Sequence, residues 1–226
     1  MKVERKMAAE HVVFHIPRCG GTALTELLLR CGSGPLCVDK RVEGRIEDKV
    51  EREGEKGKVV VSQQSKWLEG EGNVYIVMRD PVERAVSLYR HWEEGGVDAG
   101  AVGWKKKTFD EYVSGGQLES NWVTRALSGG KFEGECTEEM YEKARGVLLS
   151  SSVHRLSELE GLMDAMEERG VVFVDKEKAG RILRRKINAS KGREALNPEY
   201  VDKLREVNDK DCRLWEMVVG RGNFSR

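Results

Sequence analysis

No stretch of this chain approaches the ~20 consecutive apolar residues that a membrane-spanning helix requires, and Met1 to Glu10 is rich in charge rather than built like a secretion signal. The chain as given therefore reads as soluble, and a cytoplasmic placement is expected. Cysteines are few, odd in number and scattered: Cys19, Cys31, Cys37, Cys136 and Cys212, with no Cys-x-x-Cys pair. That pattern argues against a metal site and against a disulfide framework. Net charge is missing too, since Lys plus Arg and Asp plus Glu each number 39. Without a global field there is nothing to draw the chain to nucleic acid or an anionic membrane, so any basic site has to be local. No period repeats, and the chain's paired glycines do not lead into Gly-Lys-Ser/Thr, so a Walker A phosphate loop is excluded.

What is present is organised around His11 to Leu28. His11-Val12-Val13-Phe14-His15-Ile16-Pro17 reads as a buried strand, Arg18-Cys19-Gly20-Gly21-Thr22 as a tight turn, and the following residues as a helix. Leu24, Leu27, Leu28 and Cys31 fall at i, i+3, i+4 and i+7, the spacing of one buried helix face. Strand, glycine turn and helix in that order make an anion site. Two glycines let backbone close on a ligand while N–H groups of the first helical turn point at it, and Arg18 adds a charge at the mouth.

A second stretch answers the first. Asn73-Val74-Tyr75-Ile76-Val77-Met78 reads as another buried strand running into Arg79-Asp80-Pro81-Val82-Glu83-Arg84-Ala85-Val86-Ser87. Asp80 is a good N-cap, Pro81 suits the first helical position and Glu83 can close a capping box, so a helix starts directly after the strand. Val82, Ala85, Val86 and Tyr89 form its buried side. Arg79 then stands at a strand's carboxyl end, where open α/β sheets bind ligands, and Ser87 lies two turns down the helix.

His15-Ile16-Pro17-Arg18-Cys19-Gly20-Gly21-Thr22 resembles the 5′-phosphosulfate loop of the sulfotransferases that use 3′-phosphoadenosine 5′-phosphosulfate, in the form found in the heparan and chondroitin carbohydrate enzymes. Arg79 to Arg84, through Ser87, resembles their 3′-phosphate motif. Asn121-Trp122-Val123-Thr124-Arg125-Ala126-Leu127 and Asn197-Pro198-Glu199 through Asp211 to Glu216 resemble, less specifically, a mid-domain segment and the closing helix of the same family. The resemblance implies that Arg18, Cys19, Gly20, Gly21, Thr22, Ala23, Arg79 and Ser87 bind the nucleotide co-substrate, that no metal is required, and that the acceptor is a hydroxyl group, most specifically on a glycan. It also implies Golgi residence for relatives carrying an N-terminal anchor, and for this chain if such an anchor is missing from the sequence given.

In that family a loop lysine stabilises charge growing on the leaving phosphate, and here Arg18 takes its place as a purely electrostatic group. The acceptor hydroxyl also needs a base. Relatives often place histidine or an acid after the second strand, where this chain has Gln63 and Gln64. Asp39, in the loop after the first helix, is the leading substitute, with Glu26 and His91 behind it. A non-catalytic binder of the nucleotide or of a sulfated glycan is the alternative this gap leaves open; a P-loop kinase is disfavoured by the absent Gly-Lys-Ser/Thr.

At 226 residues the chain fits one domain, 1–226. Arg41 to Lys58 is almost wholly charged and reads as a solvated helix or excursion, Val59 to Ser62 as a sheet strand, and Trp104-Lys105-Lys106-Lys107 as a basic loop. Thr108 with Glu111 predicts a capping box, Thr137 to Leu149 a helix, and Ser157 with Glu160 the cap of a helix burying Leu159, Leu162, Met163 and Met166 before Gly170. Val171 to Val174 reads as a last parallel strand. Asn197-Pro198 opens one long final helix, interrupted at Asp211 by an acid expected to be buried and structural. Strands alternating with helices predict an α/β fold, a parallel sheet covered on both sides, which the resemblance narrows to the sulfotransferase form of the P-loop nucleotide-binding fold.

Overall fold

The computed structural model describes residues 10–33, 36–42, 45–47, 59–62, 72–94, 108–114, 120–132, 134–188 and 196–220, with side chains described at all of these except 36–42, 45–47 and 185–188. Strand β1 (His11–Phe14) is buried along its whole length and sits inside the sheet. Its parallel neighbours are β5 (Val59–Ser62) on one side and β6 (Asn73–Met78) on the other. Beyond β6 lies β7 (Ser152–Arg155), and beyond β5 lies β3 (Leu36–Val42), both parallel; β4 (Arg45–Glu47) adds an antiparallel edge, giving the order β4-β3-β5-β1-β6-β7.

Alternation along the strands splits the core in two, because successive side chains leave a strand on opposite faces. Val13, Tyr75 and Val77 pack with Leu24, Leu27 and Leu28 of α1 (Gly21–Cys31), with Leu159, Leu162 and Met166 of α6 (Leu159–Glu168), and with Leu183 of α7 (Lys176–Asn188). Phe14, Ile76 and Met78 face the other way, onto Leu127 of α4 (Trp122–Ser128), Leu148 of α5 (Glu138–Ser150) and Leu214 of α9 (Asp209–Gly220). Helices thus cover both faces, as predicted. Truncating any of these leucines to alanine costs about 2–5 kcal/mol. A third cluster joins α2 (Pro81–Glu93) through Val82, Val86, Tyr89 and Trp92 to α3 (Phe109–Ser114) and α8 (Pro198–Val207).

The predicted capping box is present, with Thr108 N donating to Glu111 Oε2 over 2.8 Å and Glu111 N to Thr108 Oγ1 over 3.2 Å. Three other expectations are corrected. Val172–Phe173 (β8) does not join the main sheet; it pairs antiparallel with Gly32–Ser33 (β2). The parallel strand beside β6 is instead Ser152–Arg155, whose buried Ser and His masked its strand character. Ser157 lies inside a 3-10 turn (Leu156–Glu158) rather than capping α6. The final helix is two helices, α8 and α9, divided at Asn208.

That break serves a reciprocal cap. Asn121 Oδ1 accepts from Lys210 N and Asp211 N at the start of α9, over 2.9 and 3.0 Å, while Asp211 accepts from Val123 N, Thr124 N and Thr124 Oγ1 at the start of α4, over 2.9, 2.8 and 2.7 Å. The buried acid is structural: it replaces water for helix N–H groups that would otherwise lack partners.

Candidate functional site

The site forms where β1 and β6 deliver the chain to the carboxyl edge of the sheet. After Phe14 the His15 N–H donates to Ser62 O over 2.7 Å, which ties the start of the loop to the end of β5. The chain then turns through Arg18 and Gly20, both left-handed at φ 67° and 85°. For an arginine that conformation costs about 1–2 kcal/mol, the kind of strain that concentrates at functional loops. Gly20 precedes α1, whose first internal bond runs from Leu24 N to Gly20 O over 3.0 Å. The N–H groups of Gly21, Thr22 and Ala23 therefore come before the helical ladder, at its electropositive end.

Gly20 is required by its left-handed backbone, and at both glycines a side chain would displace a neighbouring side chain. A Cβ on Gly20 would stand 2.6 Å from Leu156 Cδ1; one on Gly21 would fall 1.6 Å from His15 Cδ2 and 1.8 Å from His15 Nε2. The imidazole of His15 thus lies over Gly21. The sequence does not signal this contact: His15 reads as the end of the strand and the first residue of the loop motif, and neither reading places its ring over Gly21.

The two predicted motifs meet directly. Arg18 Nε donates to Ser87 Oγ over 3.2 Å, and Arg79 Nη1 donates to Arg18 O over 3.3 Å. Arg79 is 5% exposed, and its Nε donates to Glu83 Oε2 over 3.1 Å. Glu83 is half exposed, so this pair contributes little to stability and serves to fix the plane of the guanidinium. Asp80 caps α2 as expected, accepting from Glu83 N over 3.0 Å, with Pro81 in the first turn.

Cys19 turns its side chain into the core, where burial pushes the thiol up to about 12, and its N–H goes to Ile16 O over 3.1 Å. Ala23 is likewise buried, so it can offer a ligand its backbone but not its side chain; Thr22 is exposed.

Asp39 is not in a loop. It belongs to β3, its Cα paired with that of Ser62, which in turn pairs with Phe14. Leu36, Cys37 and Val38 extend the sheet past β5, and this carries Asp39 to the same carboxyl edge as the glycine loop, two strand spacings or roughly 10 Å from β1. Glu26 is occupied with Arg30, at 3.3 Å on α1, and His91 lies one turn past Ser87 on α2. Gln63, Gln64 and the basic loop Trp104 to Lys107 lie outside the described residues.

No family model matches this chain, and none of the curated protein sequences matches it. Among solved structures it is similar to mouse sulfotransferase SULT7A1 complexed with PAP, with 14% identity over 94% of this chain and 89% of that one and a TM-score of 0.51. It is also similar to a sulfotransferase from Alicyclobacillus acidocaldarius, with 12% identity over 95% and 96% of the two chains and a TM-score of 0.49. At this identity the first likeness speaks for architecture alone: the chain has the α/β fold of sulfotransferase structures, a parallel sheet flanked by helices.

Proposed function

We propose that this chain, acting as one domain over residues 1–226, is a sulfotransferase that moves a sulfuryl group from 3′-phosphoadenosine 5′-phosphosulfate to an acceptor hydroxyl on a carbohydrate. The observation that carries the reading is the contact of Arg18 with Ser87 and of Arg79 with the Arg18 carbonyl. Two motifs about sixty residues apart, each resembling half of one nucleotide site, converge on one edge of the sheet.

The residues fit such a nucleotide. A tight loop, in which a Cβ at Gly20 would meet Leu156 and one at Gly21 would meet the His15 ring, leads into the N–H groups of Gly21, Thr22 and Ala23, suited to the 5′-phosphate, while Arg79 and Ser87 are suited to the 3′-phosphate. When bound, the co-substrate supplies an already activated sulfuryl group, so the protein's part is positioning and electrostatics. Arg18 balances the charge that grows on the leaving side. Asp39, at the carboxyl edge, takes the proton of the acceptor hydroxyl. The carbohydrate class of acceptor rests on the resemblance of the loop.

A second reading, a non-catalytic binder of the nucleotide or of a sulfated glycan, is favoured by one observation: Asp39 stands two strands from the loop. A labelled-sulfate transfer screen across glycans, peptides and small alcohols separates the two. Transfer to a glycan supports the enzyme; nucleotide binding without transfer to any acceptor supports the binder.

A further inference from the structure

The His15 ring occupies the space a Gly21 side chain would fill. A Cβ in a helix points back toward the N-terminus, so a ring in its place lies at the open end of α1, beside the N–H groups of Gly21, Thr22 and Ala23. The ring reaches that place because the His15 backbone is anchored to Ser62 O at the end of β5. Nε2, at 1.8 Å from the virtual Cβ, is among the ring atoms closest to Gly21. An imidazole there can present an N–H to whatever anion the helix terminus holds, and can take up a proton to match its charge.

We propose that His15 is a binding residue for the 5′-phosphate: its imidazolium donates a hydrogen bond to that phosphate, so nucleotide binding is coupled to proton uptake. This rests on the reading of the site as a nucleotide bisphosphate site, and it adds a titrating group to a set of contacts otherwise made by backbone amides and arginines. The charged groups on the elements packed around the loop include Arg18 within it, Arg79 and Glu83 at the junction of β6 and α2, buried Arg84 on α2 and Asp211 on α9, which both act on Cys19, Glu26 farther along α1, Asp39 on β3, and the Arg155–Glu158 pair flanking Leu156. A dianion bound beside the ring favours its charged form.

The test is calorimetry at pH 7.5 in buffers of different ionisation enthalpy, with adenosine 3′,5′-bisphosphate, 5′-monophosphate and 3′-monophosphate. At this pH an ordinary imidazole is about one-tenth protonated, and a dianion at hydrogen-bond distance makes it mostly protonated, so uptake of between about 0.4 and 0.9 proton per nucleotide is expected. Uptake should accompany both nucleotides carrying a 5′-phosphate, should be absent with the 3′-monophosphate, and should vanish in His15→Asn and His15→Gln while Arg79→Ala retains it. In the unmutated chain, the His15 ring proton followed by NMR should titrate at higher pH once the bisphosphate is bound, a readout that needs no variant to fold. Uptake unchanged in the His15 variants, or lost on His91→Asn instead, overturns the assignment while leaving the nucleotide site intact. Failure of all three nucleotides to bind the unmutated chain overturns the site reading and this inference with it.

Discussion

Arg18 Nε and Ser87 Oγ lie 3.2 Å apart, joining the loop before α1 to the second turn of α2 across 69 positions of sequence. The residue expected at the sulfate end of a bound nucleotide therefore rests against the hydroxyl expected at its far phosphate, and one arginine bridges the two halves of the site.

Arg18→Ala should lower turnover by about 10²–10³, the usual cost of removing one preorganised group from developing charge, with a much smaller loss of co-substrate affinity. Steady-state kinetics beside equilibrium binding separates the two. Equal fold-losses in both would mean that Arg18 only binds.

Gly20 and Gly21 should fail in different ways. Gly20→Ala forces a side chain into φ 85° and against Leu156, and should lower global stability by about 1–2 kcal/mol in a urea titration. Gly21→Ala has ordinary helical backbone and a better helix former, so stability should hold or rise. Its methyl group displaces the His15 ring, however, and nucleotide affinity should fall. Unchanged affinity in Gly21→Ala would contradict the close packing at the helix terminus.

Asp39→Asn should flatten the acidic limb of the rate profile and leave nucleotide binding intact, as expected for loss of a general base. Full activity in the variant would move the role to another residue.

Acid should weaken the fold through its buried histidines. His154 is 4% exposed, its Nε2 is 2.9 Å from Ser152 Oγ, and burial lowers it from the ordinary 6.5 to about 4. Burial lowers His11 as well, where Nδ1 lies 3.3 Å from the Tyr75 hydroxyl. Below pH 6.5 the unfolded chain takes up protons that the folded chain refuses, so this stability is complete above 6.5 and is lost as pH falls toward 4. For His154 the loss amounts to about 3 kcal/mol. Urea midpoints at pH 7.5 and 4.5 should show a smaller drop in His154→Gln than in the unmutated chain; equal drops would contradict it.

The parts legible in the sequence were those governed by local rules. Leu24, Leu27, Leu28 and Cys31 are all buried as their spacing requires, and Asp80-Pro81 opens α2 where its capping chemistry says. What escaped depends on distant partners. Ser152–Arg155 becomes a strand only because β6 needs a neighbour, and Val172–Phe173 pairs away from the main sheet with the two residues that follow α1. Asn208 breaks a helical pattern that would otherwise continue to Val218, because its Oδ1 accepts from Asn121 N over 3.0 Å. At the site, Arg79, Ser87 and the glycines were legible as motifs. The His15 ring over Gly21 was not, since it follows from loop geometry rather than from residue type.

The central claim is that Arg79 and Ser87 hold a second phosphate that belongs to the same nucleotide as the one at Gly20 to Ala23. A charge-assisted bond from arginine contributes roughly 1.5–3 kcal/mol, and each 1.4 kcal/mol is about tenfold in affinity. Calorimetry should therefore find adenosine 3′,5′-bisphosphate bound at least about tenfold more tightly than the 5′-monophosphate, with Arg79→Ala erasing that preference and leaving the monophosphate's affinity nearly unchanged. Equal affinities for the two nucleotides on the unmutated chain would contradict the sulfotransferase reading.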